Sequence, residues 1–336
     1  MPFAVFADGS ANLPETMLEG ISLLPCEYTL DGVPQTYFGD VDRFDAHAFY
    51  EELRHGKIAR TTLLNTHLFL THFGPVLKQG LDVIYISMSS GISGTCGAAK
   101  LAARELMEEY RERFVHIVDS LGCGFGNGLL AVKAAELSRQ GRDAREAAAI
   151  LDAEVPHICQ YFTVDDLNFL KKTGRVSGVT AKIGTVLNIK PILYGDATGH
   201  IVSCAKVRGR RQSIEALVKK YEEKRVRTGE QRVCISHGDC LDDARGWPTW
   251  CGRSRRRCPS PSASTSRFPA PTWGRGCWAC FSGERSGKRR FAHMDQKESP
   301  SGSLSAGERG GRLCLEEEQT DAGSRGSTRS CRSRLM

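Results

Sequence analysis

Valine, isoleucine, tyrosine and asparagine are all missing after Arg245 in this 336-residue chain, whereas tryptophan is missing before it. All four tryptophans, Trp247, Trp250, Trp273 and Trp278, lie in that last stretch. A segment without valine or isoleucine lacks residues that strands favour. No uninterrupted apolar run reaches membrane-spanning length, and the first eight residues contain no basic region followed by a long apolar stretch, so no membrane span and a cytoplasmic location are expected. The thirteen cysteines show no repeated spacing, and Cys277 and Cys280 form one isolated CxxC. That excludes reading a disulfide framework or a metal site from the sequence. Acidic residues are scarce in the tail: 17 Lys and Arg against 8 Asp and Glu after Arg245 give +9, and the whole chain carries +7, so the first 245 residues carry 7 minus 9, or −2. A nucleic-acid surface would rest wholly on that Arg-rich tail, and no nucleic-acid partner is expected.

What is present reads as alternating strands and helices. Residues 3–7, 83–87, 114–118, 158–164 and 232–236 are strand candidates, and residues 44–54, 66–79, 93–111, 127–140 and 144–154 carry apolar positions at helical spacing. Such an order predicts an α/β protein with a parallel or mixed sheet covered on both faces, its ligand loops at the carboxyl ends of the strands. Beyond Asp165 come Lys171-Lys-Thr-Gly-Arg175, an apolar helix pattern ending near Asn188, and two strand signals, 191–194 and 200–205, joined by a turn over residues 195–199.

The strongest site signal is Ser89-Ser-Gly-Ile-Ser-Gly-Thr95, which leaves a strand and enters a helix. A glycine-containing loop at a helix start offers free N–H groups and the positive end of the helix dipole to an anion, and Ser93 and Thr95 add hydroxyls without bulk around Gly94. Ser93 is equally readable as the helix cap. No lysine follows the glycine, which argues against a nucleotide P-loop and suits a singly charged carboxylate. Thr61 and Thr62 offer two more hydroxyls before a helix, or cap it. Arg175 is either a charge partner for an anion or a solvated arginine. Asp8 and Ser10 follow the first strand and either face a ligand or cap a turn. His237, after the last strand candidate, is read as structural. The glycine-rich run Asp119-Ser-Leu-Gly-Cys-Gly-Phe-Gly-Asn-Gly128 places its glycines at every second position, which does not fit a dinucleotide fingerprint, so close backbone packing is expected.

Taken in order, Asp8 to Pro14, Asp31-Gly32, Phe49-Tyr50, Thr61-Thr62, Ser89 to Thr95, Asp119-Ser120, Lys171 to Ser177 and Ile189 to Ile192 resemble the DegV family from Phe3 to about Arg245. The resemblance implies a two-domain α/β fold with parallel and mixed sheets, the second domain cut short. The domains are then an N-terminal one over 1–155 bearing the carboxylate loops, an incomplete second one over 156–245, and a tail over 246–336. It further implies a long-chain fatty acid as ligand and no cofactor. The carboxylate contacts are Thr61 and Ser93, with Thr62, Gly94, Thr95 and Arg175 around them, and the acyl chain lies in an apolar tunnel. No catalytic residue is implied, and a separate fatty-acid kinase is the implied partner. A nucleotide-dependent α/β enzyme, or a truncated relic without function, are the competing readings. Three departures stand out: Thr62 where the family often has Ser, Leu63-Leu64 in place of a polar pair, and Thr173 in place of a glycine.

The family also ends in a helix, two strands and an Ala-His-x-Gly-Pro-Gly loop, which this sequence lacks. Taking the third base of each codon with the first two of the next changes that. Residues 246–252 then permit Leu-Ala-Asp-Leu-Val-Arg, with Ala and Val forced by Trp247-Pro248 and Trp250-Cys251. Residues 270–279 permit Ala-His-Leu-Gly-Pro-Gly-Val-Leu-Gly, with three positions forced. One base is therefore expected to be lost near the codon for Arg245. The tail as written is expected to be disordered and to supply no closing strands.

Overall fold

The computed structural model describes residues 3–165, 174–176, 188–225, 233–244, 265–267 and 276–282. All of them lie in one compact unit, Met1–Lys288.

The first sheet is parallel, in the order β2 (Ile21–Leu24), β1 (Phe3–Asp8), β6 (Asp82–Ser87), β7 (Val115–Asp119). Its central strand β6, Asp-Val-Ile-Tyr-Ile-Ser, is buried at every position, as a parallel strand covered on both faces must be. Alternation along the strand divides the core. Ile84 and Ile86 join Val5, Ala7 and Val118 beneath α4 (Phe125–Arg139) and α5 (Ala144–Glu154). Val83 and Tyr85 join Phe6 beneath α2 (Thr66–Lys78) and α3 (Thr95–Glu109), where Phe69, Phe73, Ala99, Ala102 and Leu106 face them. The helix starts are set by short polar residues: Asn65 accepts the Leu68 N–H at 3.0 Å, and Asp143 the Arg145 N–H at 2.9 Å.

A second, antiparallel sheet of three short strands, β4 (Val33–Tyr37), β3 (Cys26–Leu30) and β5 (Ala59–Thr61), packs on α1 (Ala46–Arg54) through Tyr28, Tyr37, Phe49, Tyr50 and Leu53. Its β3–β4 turn is Asp31-Gly32, with φ of +49° and +82°, the left-handed pair that a two-residue hairpin requires. Only that turn is visible in the sequence; the strands are too short and too exposed to show an apolar alternation.

The third sheet has six strands in the order β10 (Ile201–Arg208), β9 (Ile189–Gly195), β8 (Ile158–Val164), β13 (Gly276–Ser282), β11 (Val233–His237), β12 (Thr265–Arg267). The helix α6 (Arg210–Lys224) covers it with Ile214, Leu217, Val218 and Tyr221 against Tyr161, Ile192, Val233 and Ile235. Those four positions recur at helical spacing, and this helix is one that the sequence reading above does not expect.

Two strands correct the expectation that nothing after Arg245 adds to a sheet. β13 runs antiparallel to both β8 and β11, with Trp278 opposite Phe162 and Ser236, and β12 pairs in parallel with β11. The physical reason is local. Gly-Cys-Trp-Ala-Cys-Phe is an apolar, aromatic-containing run, and aromatic residues suit a strand as well as valine or isoleucine do. The run Lys171 to Thr173 and the helix pattern before Asn188 lie outside the described residues. Among the described residues, no helix is long and apolar enough to cross a membrane.

Candidate functional site

The carboxyl ends of β1 and β6 meet at one buried carboxylate. Asp8 accepts the Ser10 N–H at 2.9 Å and the Ser10 hydroxyl on one oxygen, and the Tyr85 hydroxyl at 2.8 Å and the Met88 N–H at 3.2 Å on the other. Asp8 therefore caps its own turn and also fixes the point at which the chain leaves β6. Burial, then the charge of Asp8, drives the Tyr85 hydroxyl well above its ordinary pKa. The same two causes raise the neighbouring thiols of Cys26 and Cys123, the latter to about 12, so both stay protonated and poorly nucleophilic.

Beyond β6 the chain turns through residues 89–94 into α3. Ser89 is fully buried; its hydroxyl donates to the Gly199 carbonyl at 2.8 Å and accepts the Gly91 N–H at 3.0 Å. The Ser90 N–H goes to Asp119 at 3.0 Å, and the Ser93 N–H to the Ser89 carbonyl at 3.1 Å. The Ser93 hydroxyl, half-buried, accepts the Thr95 N–H at 3.2 Å and donates to the Thr95 hydroxyl at 3.0 Å. Ser93 thus has a capping role, while its side chain stays at the surface beside exposed Gly94; Thr95 lies buried behind it.

Thr61 closes β5 opposite Tyr28, and the Thr62 N–H bonds the Glu27 carbonyl at 2.8 Å. Neither threonine caps α2, because Asn65 does. Both are exposed, and the next side chain, Leu63, half exposed, lies against Gly94: a Cβ placed on that glycine would sit 3.5 Å from Leu63 Cδ1. That contact brings the 61–63 edge to the 93–94 corner. Arg175 is exposed, and the adjoining Val176 is buried in a cluster of Cys123, Phe162, Val164, Leu193 and Ile201. Met88, just after β6, and Ile92 of the 89–94 turn pack on that same cluster. Arg175 therefore lies beside the six-stranded sheet, next in the chain to that apolar cluster.

The other candidates are structural. His237 ends β11 buried, its Nδ1 accepting the Cys240 N–H at 3.2 Å. The glycine run makes room for Gln160 of β8, whose Oε1 accepts the Cys123 N–H at 3.1 Å; a Cβ at Gly122 or Gly126 would fall 1.7 Å from its Nε2. One group is not suggested by the sequence, because its members lie far apart in the chain. His47 and Glu51 of α1 meet Asp239 with potential ligand atoms within 4.8 Å of one another, and Arg54 already pairs with both carboxylates.

Residues 2–270 match the family model described as an uncharacterised protein of the DegV family. A DegV domain-containing protein of Clostridium perfringens is 34% identical over 243 residues, which is 72% of this chain and 84% of the relative. The structure of DegV from Bacillus subtilis, a fatty acid binding protein, superposes with a TM-score of 0.70 at 27% identity over 84% of this chain and 99% of that one. A fatty acid binding DegV family protein from Streptococcus agalactiae gives a TM-score of 0.73 at 23% identity, covering 85% of this chain and 100% of that one.

Proposed function

The chain belongs to the DegV family, and from that premise we propose that it holds one long-chain fatty acid, its carboxylate at Thr61 and Ser93 and its acyl chain along the apolar floor beneath them. The observation that carries this reading is the meeting of the two hydroxyl-bearing edges at Leu63 and Gly94, beside the cluster on which Ile92 and Met88 pack. In this reading Thr62, next to Thr61, and Arg175, next to Val176 of the apolar cluster, complete the head-group contacts. Gly94 lets the ligand approach α3 closely, and Thr95 holds the Ser93 hydroxyl.

A binding role is favoured over a nucleophilic one because the Ser93 hydroxyl bonds a threonine rather than a histidine or a carboxylate able to take its proton. A nucleotide site is disfavoured on electrostatic grounds. The Ser90 N–H is already held by Asp119, whose charge also helps to raise the Cys96 thiol after burial. A triphosphate would face that carboxylate, whereas a fatty acid brings a single charge.

In the second step of the reading the bound acid is presented to a separate kinase that phosphorylates the carboxyl group. The exposure of Thr61, Thr62 and Gly94 supports it, since the head group would remain reachable from outside.

Organic extraction of the purified protein followed by mass spectrometry tests the first step, with a long-chain fatty acid as the expected product. Combining Thr61→Ala with Ser93→Ala removes two hydrogen bonds to a charged group and is expected to lower affinity by about 100-fold or more. Absence of any acyl ligand, or unchanged affinity in the double variant, rejects the assignment.

A further inference from the structure

We propose that Ser89 is a positioning residue for carboxylate recognition, and that it acts by locking the Ser93-bearing turn onto the β9–β10 hairpin. This rests on the fatty-acid reading of the same site. Ser89 is not available to a ligand: it is fully buried, and its hydroxyl is used on both sides, as donor to the Gly199 carbonyl and acceptor from the Gly91 N–H.

The joint has no slack. A Cβ at Gly91 would lie 2.6 Å from the Gly199 carbonyl carbon and 2.7 Å from the Thr198 oxygen, and one at Gly199 would lie 2.0 Å from the Ser89 hydroxyl. Backbone therefore meets backbone at this point. The hairpin turn is itself stiff. One Asp196 oxygen accepts the Thr198 N–H at 2.8 Å, the Thr198 hydroxyl at 2.7 Å and the His200 N–H at 3.0 Å, while the Gly199 N–H returns to the Asp196 carbonyl at 3.0 Å. Burial works against the ionised form of Asp196, but those bonds hold its carboxyl below the usual range.

The same hairpin contributes Leu193 and Ile201 to the apolar floor, so the surface offered to the chain and the turn that presents Ser93 move as one body. Ser89 is four residues before Ser93, and its carbonyl accepts the N–H groups of both Ile92 and Ser93, at 3.2 and 3.1 Å. Displacing Ser89 displaces the Ser93 hydroxyl. A carboxylate, which needs its donors within hydrogen-bond range, is sensitive to that shift; an ester head group of the same chain, lacking the charge, gains far less from those donors.

The test compares palmitate with methyl palmitate on the full chain. The unaltered protein is expected to prefer palmitate. Ser89→Ala is expected to lower palmitate affinity about tenfold while methyl palmitate changes less than about twofold. Asp196→Ala, which loosens the partly exposed turn without touching Ser89, is expected to give the same selective loss at about threefold. Retained preference for the acid in both variants overturns the proposal, as does an equal loss for both ligands, which a merely structural Ser89 would give. If the unaltered chain binds neither ligand, the fatty-acid reading fails instead, so the two failures are distinguishable.

Discussion

The parallel sheet and the six-stranded sheet are assembled in opposite ways. All four strands of the first come from residues 3–119, and the helices that cover them, α2 to α5, lie within residues 66–154. In the second, β8 and β11 are separated by β13, which arrives from residues 276–282. The first sheet is complete within its own stretch of sequence, whereas the second depends on one distant segment for its centre. A central strand pairs on both sides, so its removal leaves two edges with unmet N–H and C=O groups rather than one. The second sheet is therefore sensitive to the segment beyond Arg245.

The largest expected effect breaks the comparison directly. Ending the chain after residue 244 removes β12 and β13, leaving β8 as a bare edge and β11 with no paired neighbour, so cooperative unfolding of the second sheet should be lost and aggregation should appear. Ending it after residue 288 retains β13 and should leave the melting temperature within about 2 °C. Equal melting curves for the two would show that β12 and β13 carry no stability. The same measurement sharpens the out-of-frame reading, which we retain as a proposal. Cysteine and tryptophan codons both begin with TG, so a one-base shift across Gly276-Cys277 and Cys277-Trp278 yields codons ending in TG, for valine, leucine or methionine at the first and leucine at the second. The strand position therefore receives apolar residues in either frame, and occupation by β13 does not discriminate between them. Restoring one base at the codon for Arg245 should raise stability by several kcal/mol, or roughly 10 °C, because a complete closing segment adds buried apolar surface. An unchanged melting point would dispose of the shift.

A smaller effect concerns the joint between the sheets. Gln160 projects from β8 into the glycine run beside α4, and Gly126 leaves it that space. Gly126→Ala should displace the Gln160 amide, cost the bond to the Cys123 N–H and destabilise by about 1 to 3 kcal/mol, read from denaturant midpoints. Gly97, on the exposed side of α3, has nothing within 4 Å of an added Cβ, so Gly97→Ala should be neutral or stabilising by up to about 1 kcal/mol. Similar gains at both positions would mean that helix propensity, not the Gln160 contact, governs the glycine run.

These contrasts also show what one sequence makes legible. Long periodic helices are readable to within two residues: α5 matches its expected span, and α2 differs by one residue. The buried strands β1, β6, β7, β8 and β11 are readable as short apolar runs. Strands β2 to β5 are not, because three to five largely exposed or half-exposed residues carry no period. For the site, the sequence marks the loop at 89–95 and the pair Thr61-Thr62, but their contact through Leu63 depends on a β3–β5 pairing across some thirty residues. Ser93 takes the capping role that spacing leaves open, accepting the Thr95 N–H while its side chain stays partly exposed. Ser89 resembles any other loop serine in the sequence, since only its burial and the facing Gly199 carbonyl distinguish it.

The smallest expected effect lies where α1, which carries the threonine-bearing sheet on its apolar face, meets the loop after β11. Arg54 and His47 both reach Asp239, the latter at 3.2 Å. Burial disfavours the charged carboxylate, but the bonds from Arg54 and His47 outweigh it and hold Asp239 below the ordinary value of 3.8. A depressed carboxyl pKa stabilises the fold when the group is ionised in both states. The contribution is therefore complete above the unfolded pKa and declines as pH falls from there through the lower native value. The pair is partly exposed, so its worth at neutral pH is under about 1 kcal/mol. Asp239→Asn should lower stability by that amount at pH 7, and the difference from the unaltered chain should shrink between pH 4 and pH 2, as unfolding curves across that range would show. A difference that persists undiminished at pH 2 would mean that the asparagine disturbs packing rather than charge, and that α1 is held to the second sheet by something other than this ion pair.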